Sequence, residues 1–409
     1  MRSHCLLAAL FFAIAGAACA APFAYITNYL DGTVSVIDVA QNIVIDTISV
    51  GKFPIGAAYA YDGTRVYIGN SGSSSVSVID TATRAVIATI SVGNTPAHVA
   101  VSPDGTRLYV ANNADNTVTA IATATDTALA TIPVGKGPTA IGVSLDGSRV
   151  YVVDNASKDV SVIDAAANSV IATVPVGANA RGLVVSPDGA RVYVTNLTDN
   201  SMTVIATATN TVITTVPLGN LPDGVAVTPD SAYVYNTNGG DGTVTVTRAS
   251  DFANVATIPL TLGSGVSGVS VTPDGTRMYA TGSSSNLVSA ISTATEAEIS
   301  IVPVGEVPFG AGVFIQPPGP TPSITTASPL PDGFSGTFYS IALAATGGTP
   351  PYVSWTVSPA PPLVLSLDAS TGVLSGTVAF RVHGTFTFTV VVTDSAGRKG
   401  SKAFMLTLK

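Results

Sequence analysis

Cysteine is almost missing from this chain of 409 residues: Cys5 and Cys19 are the only two, and both fall within the first twenty positions. Those twenty residues read as a secretory signal. Arg2 and His4 precede an apolar run from Leu6 to Ile14, and small residues follow to Ala18-Cys19-Ala20, ahead of Ala21-Pro22. Cleavage after Ala20 leaves a mature protein without a thiol, so an exported chain must here rely on its packed core rather than on disulfides. Lipidation at Cys19 is the competing expectation, although Gly16 stands three residues before it, where a leucine-like residue is usual. No later apolar run reaches the roughly 18 residues of a membrane span, which excludes a transmembrane helix.

Charge is scarce too. Only 10% of residues are Asp, Glu, Lys or Arg, with a formal net charge of −8. Losing Arg2 with the signal takes this to −9, and three Asp against five Lys or Arg after Ser323 leave the preceding region near −11. A nucleic-acid groove needs a basic stripe, so no nucleic-acid partner is expected. Histidine is limited to three residues, and no His/Cys/Asp/Glu cluster has metal-ligand spacing. There is no C-x-x-C-H haem motif and no glycine-rich phosphate loop. No metal and no cofactor are therefore expected.

What the chain has in abundance is repetition. A turn and a short strand recur as Asp62-Gly-Thr-Arg-Val-Tyr67, Asp104-Gly-Thr-Arg-Leu-Tyr109, Asp146-Gly-Ser-Arg-Val-Tyr151, Asp188-Gly-Ala-Arg-Val-Tyr193, Asp230-Ser-Ala-Tyr-Val-Tyr235 and Asp274-Gly-Thr-Arg-Met-Tyr279. The aspartates step by 42 residues four times and then by 44, and Tyr25 opens the series without its turn. Seven copies at this period predict an all-β fold, a seven-bladed β-propeller of four-stranded blades. One repeat, Pro96 to Gly135, parses as inner strand, Pro-Asp-Gly turn, second strand, polar loop, alternating third strand and outer strand. The low charge has the same origin, because strands covered on both faces read as continuous apolar runs.

The termini predict how the ring closes. Phe23–Asn28 matches a second strand and lacks an innermost partner, while 308–315 matches an innermost strand with nothing after it. Pairing the two shuts the ring. Four prolines in 316–322 then make a semi-stiff spacer. Beyond it the 42-residue pattern stops, and short alternating strands separated by Gly, Pro and Asp turns predict a small β-sandwich with Trp355 in its core. The expected organisation is a signal over 1–20, a propeller over 21–316, a linker over 317–322 and an Ig-like sandwich over 323–409.

Tyr25-Ile-Thr-Asn28, Tyr109-Val-Ala-Asn112 and Tyr193-Val-Thr-Asn196, with pieces such as Val78-Ile-Asp80 and Ile132-Pro-Val-Gly135, resemble the YVTN-repeat family of bacterial propellers of surface-layer or periplasmic type. Asp154 and Gly282 depart from the pattern where Asn is usual, and Ser231 where Gly is. The tail, with Leu367-Asp-Ala-Ser-Thr-Gly-Val-Leu-Ser-Gly-Thr377, resembles immunoglobulin-like modules of bacterial surface proteins. The resemblance implies export, a periplasmic or cell-surface setting and binding through the repeats; a secreted form is the further expectation, and the expected partner is a protein or polysaccharide of the cell envelope, met by the Ig-like module. It carries over no agreed catalytic set.

Ligands of propellers usually sit where the inner strands begin. In this chain that connection runs Gly51–Gly56, Gly93–His98, Gly135–Ala140, Gly177–Gly182, Gly219–Gly224, Gly263–Gly268 and Gly305–Gly310. A fixed Gly and Pro frame encloses varying residues, which suits either a functional rim or an unconstrained loop. The ligand-binding candidates are Lys52, His98, Lys136, Arg181, Asp223 and Glu306, with Phe53 and Phe309 as apolar contacts for a small polar ligand. His98 is the weak catalytic candidate, a general base beside Asp223 or Glu306, because its repeat equivalents are Gly or Ala. Arg65, Arg107, Arg149, Arg191 and Arg277 gather on the opposite face, either as an anion-binding ring or as local structural groups. Three readings follow: a non-catalytic exported scaffold, a lactonase-like or lyase-like enzyme with its site at the channel mouth, and an accessory factor for a periplasmic redox enzyme.

Overall fold

The structure, a computed structural model, describes residues 23–310, 312, 314–315, 322–346, 352–359, 365–380, 382–394 and 399–409. The signal, Cys19 and nearly all of the linker lie outside them. The chain divides into two compact units, one spanning Pro22–Gly319 and the other containing Pro320–Lys409.

The first unit is a seven-bladed propeller. Each blade is a four-stranded antiparallel sheet, as in blade 2, with Pro54–Tyr59, Arg65–Asn70, Ser75–Asp80 and Ala85–Ser91 in order from the channel outward. Blades 3 to 7 begin with Pro96–Val101, Pro138–Val143, Ala180–Val185, Pro222–Val227 and Val266–Val271. The two middle strands of a blade are almost wholly buried, and the outer strand buries one residue in its last turn. The repeated tyrosines, from Tyr25 to Tyr279, all lie in the seams between blades, at 3% exposure or less.

Blade 1 is closed by the end of the propeller. Pro308–Phe309 pair with Asn28 and Thr27, Ala24 bridges to Ile315, and the Tyr25 amide donates to the Phe314 carbonyl at 2.8 Å. The regular inner strand expected over 308–315 is interrupted. In the other blades the pairing slips by one residue near this point, whereas here it slips by three. Gly312 stands in that bulge at φ 98, and a Cβ there would lie 3.2 Å from the His98 ring. Phe314 and Ile315 are nonetheless fully buried, so the closing contact is apolar as well as hydrogen-bonded.

Between blades the repeated arginines do something the sequence reading missed. Local contacts of the expected kind are present, as between Arg191 and Tyr193, but they are not the main partners. Each guanidinium reaches a backbone carbonyl of the following blade: Arg65 to Thr123, Arg107 to Ala165, Arg149 to Thr207, Arg191 to Ala249 and, around the ring, Arg277 to Val39. A second residue of that blade, always with φ near +50 to +60, completes each seam. It is Asp126 for Arg65, Asn168 for Arg107, Asn210 for Arg149 and Phe252 for Arg191; at the seam of Arg277 it is Asn42, which accepts from the Tyr279 hydroxyl. At the seam of blades 1 and 2 the partners are exchanged, with Arg84 lying over the Phe23 ring. At the seam of blades 6 and 7, Tyr233 replaces the arginine and Glu296 faces Tyr235.

The second unit is an Ig-like sandwich. One sheet joins Tyr352–Ser358, Gly384–Asp394 and Lys399–Leu408, and another joins Phe338–Ala342, Val373–Thr377 and Ser366–Leu367. Trp355 is core, 4% exposed, with its ring against Gly372, where φ of 69 and a close approach both require glycine. Three phenylalanines stay outside: Phe334, Phe338 and Phe380 are 56%, 70% and 80% exposed. No helix among the described residues is long and apolar enough to cross a membrane.

Candidate functional site at the channel mouth

The inner strands approach one another closely at the end of each rim connection. A Cβ on Gly56 would lie 2.9 Å from the His98 Cα, and Gly182, Gly224 and Gly268 would likewise strike the backbone of the next blade. Glycine at this place is therefore a packing requirement, and His98 is the one large side chain admitted there. It is buried, 7% exposed, and sits against the Ile141 backbone of blade 4, with its Nδ1 lacking a partner. Burial drives its pKa down to about 4, against the weaker opposing influence of the Ile141 carbonyl, so the imidazole is neutral at pH 7.

The remaining candidates separate from it. Lys52, Lys136, Arg181 and Glu306 are exposed on the rim, while Asp223 is partly buried. Arg181 and Asp223, one residue earlier in the repeat than His98 and on adjoining blades, form the one electrostatic pair. Burial raises the Asp223 carboxyl and Arg181 lowers it. His98 takes no part in that pair. His98 points at Ile141, and among the described residues neither Asp223 nor Glu306 is its partner, so it lacks the carboxylate that would orient a general base. Two open depressions do not include His98: one of about 400 Å³ between blades 5 and 6, around Gly219, Asn238 and Thr245, and one of about 240 Å³ at the opposite face, around Asp104 and Arg107.

Two features of the mouth escaped sequence reasoning. Phe53 and Phe309 are joined by Tyr29, which stacks on Phe53 at 4.8 Å and meets Phe309 edge-on at 5.6 Å. The signal was an aromatic immediately after the repeated Asn28. The other is the polar ladder beneath the rim. Asn28, Asn70, Asn112, Asn196 and Asn238 each donate through Nδ2 to two hydroxyls of the neighbouring strand, as Asn112 does to Thr117 at 3.1 Å and Thr119 at 2.8 Å. The same amide's oxygen accepts from the first glycine of the rim connection, as at Gly51, Gly177 and Gly305. The Asn of the repeat is thus a structural clasp, and Asp154 replaces it in blade 4.

Comparisons with known proteins bear on both units. The family model Lactonase, 7-bladed beta-propeller matches residues 18–169. The He_PIG model, an Ig domain, matches residues 321–409. A solved structure of hydrazine synthase from Kuenenia stuttgartiensis superposes with a TM-score of 0.61 at 27% identity, covering 66% of this chain and 92% of that one. A functionally unknown protein from Desulfotomaculum acetoxidans superposes with a TM-score of 0.62 at 17% identity, over 71% of this chain and 99% of that one, a likeness of fold alone. No curated protein matches the chain.

Proposed function

We propose that the protein is an exported, non-catalytic binding scaffold of the cell envelope, a propeller of the YVTN-repeat kind that holds an Ig-like module against a protein or polysaccharide. The observation that carries this reading is the trio Phe334, Phe338 and Phe380, aromatic rings left in water by a unit that buries Trp355, Phe388 and Phe404. Exposed aromatic faces are what such modules offer to partners. The state of His98, neutral and without a carboxylate, agrees with a propeller that does no proton transfer. The test is sedimentation of the full chain with cell-wall polysaccharide and with envelope protein. The Phe338→Ser and Phe380→Ser double variant should lose about tenfold or more in affinity with its thermal transition unchanged. Equal binding by the variant would refute the role of the module.

A second reading, a lactonase-like enzyme with its site at the channel mouth, is favoured by the match of residues 18–169 to the lactonase model. Turnover of a panel of lactones that falls in Arg181→Ala and Asp223→Asn would establish it in place of the first.

A further inference from the structure

In six blades the residue at the end of the second strand is Asn or Gly, and blade 4 alone places a carboxyl group there, Asp154. Where the Asn amide donates to two hydroxyls, Asp154 can only accept, and one of its two neighbours has also changed. The hydroxyl five residues on, Thr117 in blade 3 and Ser201 in blade 5, is Asp159 in blade 4. The other, Ser161, remains and donates to Asp154 at 2.6 Å. Asp154 and Asp159 are directly opposite in the strand ladder, and the two carboxyl groups are within hydrogen-bonding reach of each other. Asp154 is fully buried, and an oxygen of each residue is buried without a partner. A buried carboxylate facing a half-buried one in this arrangement repels it, whereas one proton between them restores a donor where the Asn ladder has its amide.

We infer that Asp154 and Asp159 form a proton-binding pair that clasps the blade-4 rim in its protonated state and loosens it when the proton leaves. The clasp acts on the rim because Asp154 pairs with Pro138, and the amide of Gly135 donates at 3.4 Å to Ser161 Oγ, the hydroxyl that itself donates to Asp154; Pro138 and Gly135 flank Lys136 in the rim connection. Charge offers little alternative neutralisation. The inner strand Pro138–Val143 and the outer strand Ser169–Pro175 contain no titratable residue. Lys136 and Lys158, the nearest cations in sequence, are exposed in the flanking loops, and only Asp159 acts on Asp154 as a charge. Burial pushes Asp154 up to about 7 and raises Asp159 as well. The sign follows: the folded state holds a proton that the unfolded chain releases near 3.8, so this stability is complete below that value and is lost as pH rises through about 7.

His98, whose imidazole abuts blade 4, acts in the opposite direction, so the test is a difference between variants. Thermal unfolding of the full chain, wild type and Asp154→Asn, is followed from about pH 5 to about pH 8. Asn stands at this place in five other blades, so the variant should fold. The expected result is a gap in Tm that widens in favour of Asp154→Asn as pH rises, with Asp159→Thr behaving likewise. Amide exchange at Gly135–Gly137 should accelerate with pH in wild type and not in Asp154→Asn. Infrared absorption of a buried protonated carboxyl at pH 6 should vanish in Asp154→Asn. A Tm gap independent of pH, or no such carboxyl band, would overturn the inference.

Discussion

At the scale of the residue, His98 shows how a repeat qualifies the chemistry of a side chain. Its ring occupies a place where the other blades have no more than a methyl group, and the cost of that position is borne by the protonated imidazole. The folded pKa, about 4, lies below the ordinary 6.5, so His98 leaves stability intact above 6.5 and removes it as pH falls toward 4. Full development of that penalty is on the order of 3 kcal/mol for a group buried this deeply. We expect the His98 ring proton in NMR titration to stay unshifted down to about pH 5, and His98→Gln to flatten the acid limb of the stability curve. A ring titrating near 6.5 would mean that water reaches it from the channel.

At the scale of the element, the seams between blades pair one residue at the start of a second strand with one in a left-handed turn of the next blade. The seam of blades 1 and 2 uses the same two places with the partners exchanged, Phe23 against Arg84. Phe23→Arg alone should set two guanidinium groups face to face and cost about 1–2 kcal/mol. Adding Arg84→Asn should recover most of that loss, since Arg107 with Asn168 is the same pairing. Chemical denaturation of the two single variants and the double variant measures this coupling, and strictly additive effects would dismiss the pairing. The blades themselves were legible in the sequence because the 42-residue period, the Asp-Gly turns and the alternation of the third strands each signal locally. The seams were not, because the partners are 61 residues apart within the chain, as for Arg107 and Asn168, or at opposite ends of the propeller where the ring closes, and their chemistry changes from one blade to the next. For the same reason the rim loops could be found, while the separation of His98 from Asp223 could not. Adjacent repeat positions point in different directions, and only the packed ring fixes which.

At the scale of the whole molecule, the ring depends on residues from the two ends of the propeller meeting in blade 1. Asn28 accepts from Gly305, Asp31 from Glu306, and Phe314 is buried against Tyr25 and its neighbours. Phe314→Ala should cost about 3–5 kcal/mol, since a large buried ring leaves a cavity. Deleting residues 308–316 should leave the second strand of blade 1 as an open edge and produce aggregation on warming, measured by light scattering. A truncated protein that stays monomeric with an unchanged transition would show that blade 1 does not need its borrowed strand.

A chain of seven near-copies faces a hazard that a chain of unlike parts does not: any blade resembles the correct neighbour of any other, so a nascent ring can skip a member or admit one from another molecule. The unequal seams make such errors costly. The face of blade 2 that carries Arg84 accepts an aromatic ring, and offering it the arginine of blade 2, 3, 4, 5 or 7 brings like charges together. The variation that departs from the repeat thus serves as a partial address: the seam of Phe23 with Arg84 singles out the neighbours of blades 1 and 2, while the Arg–Asn seams share one pairing and leave their order to the order of the chain.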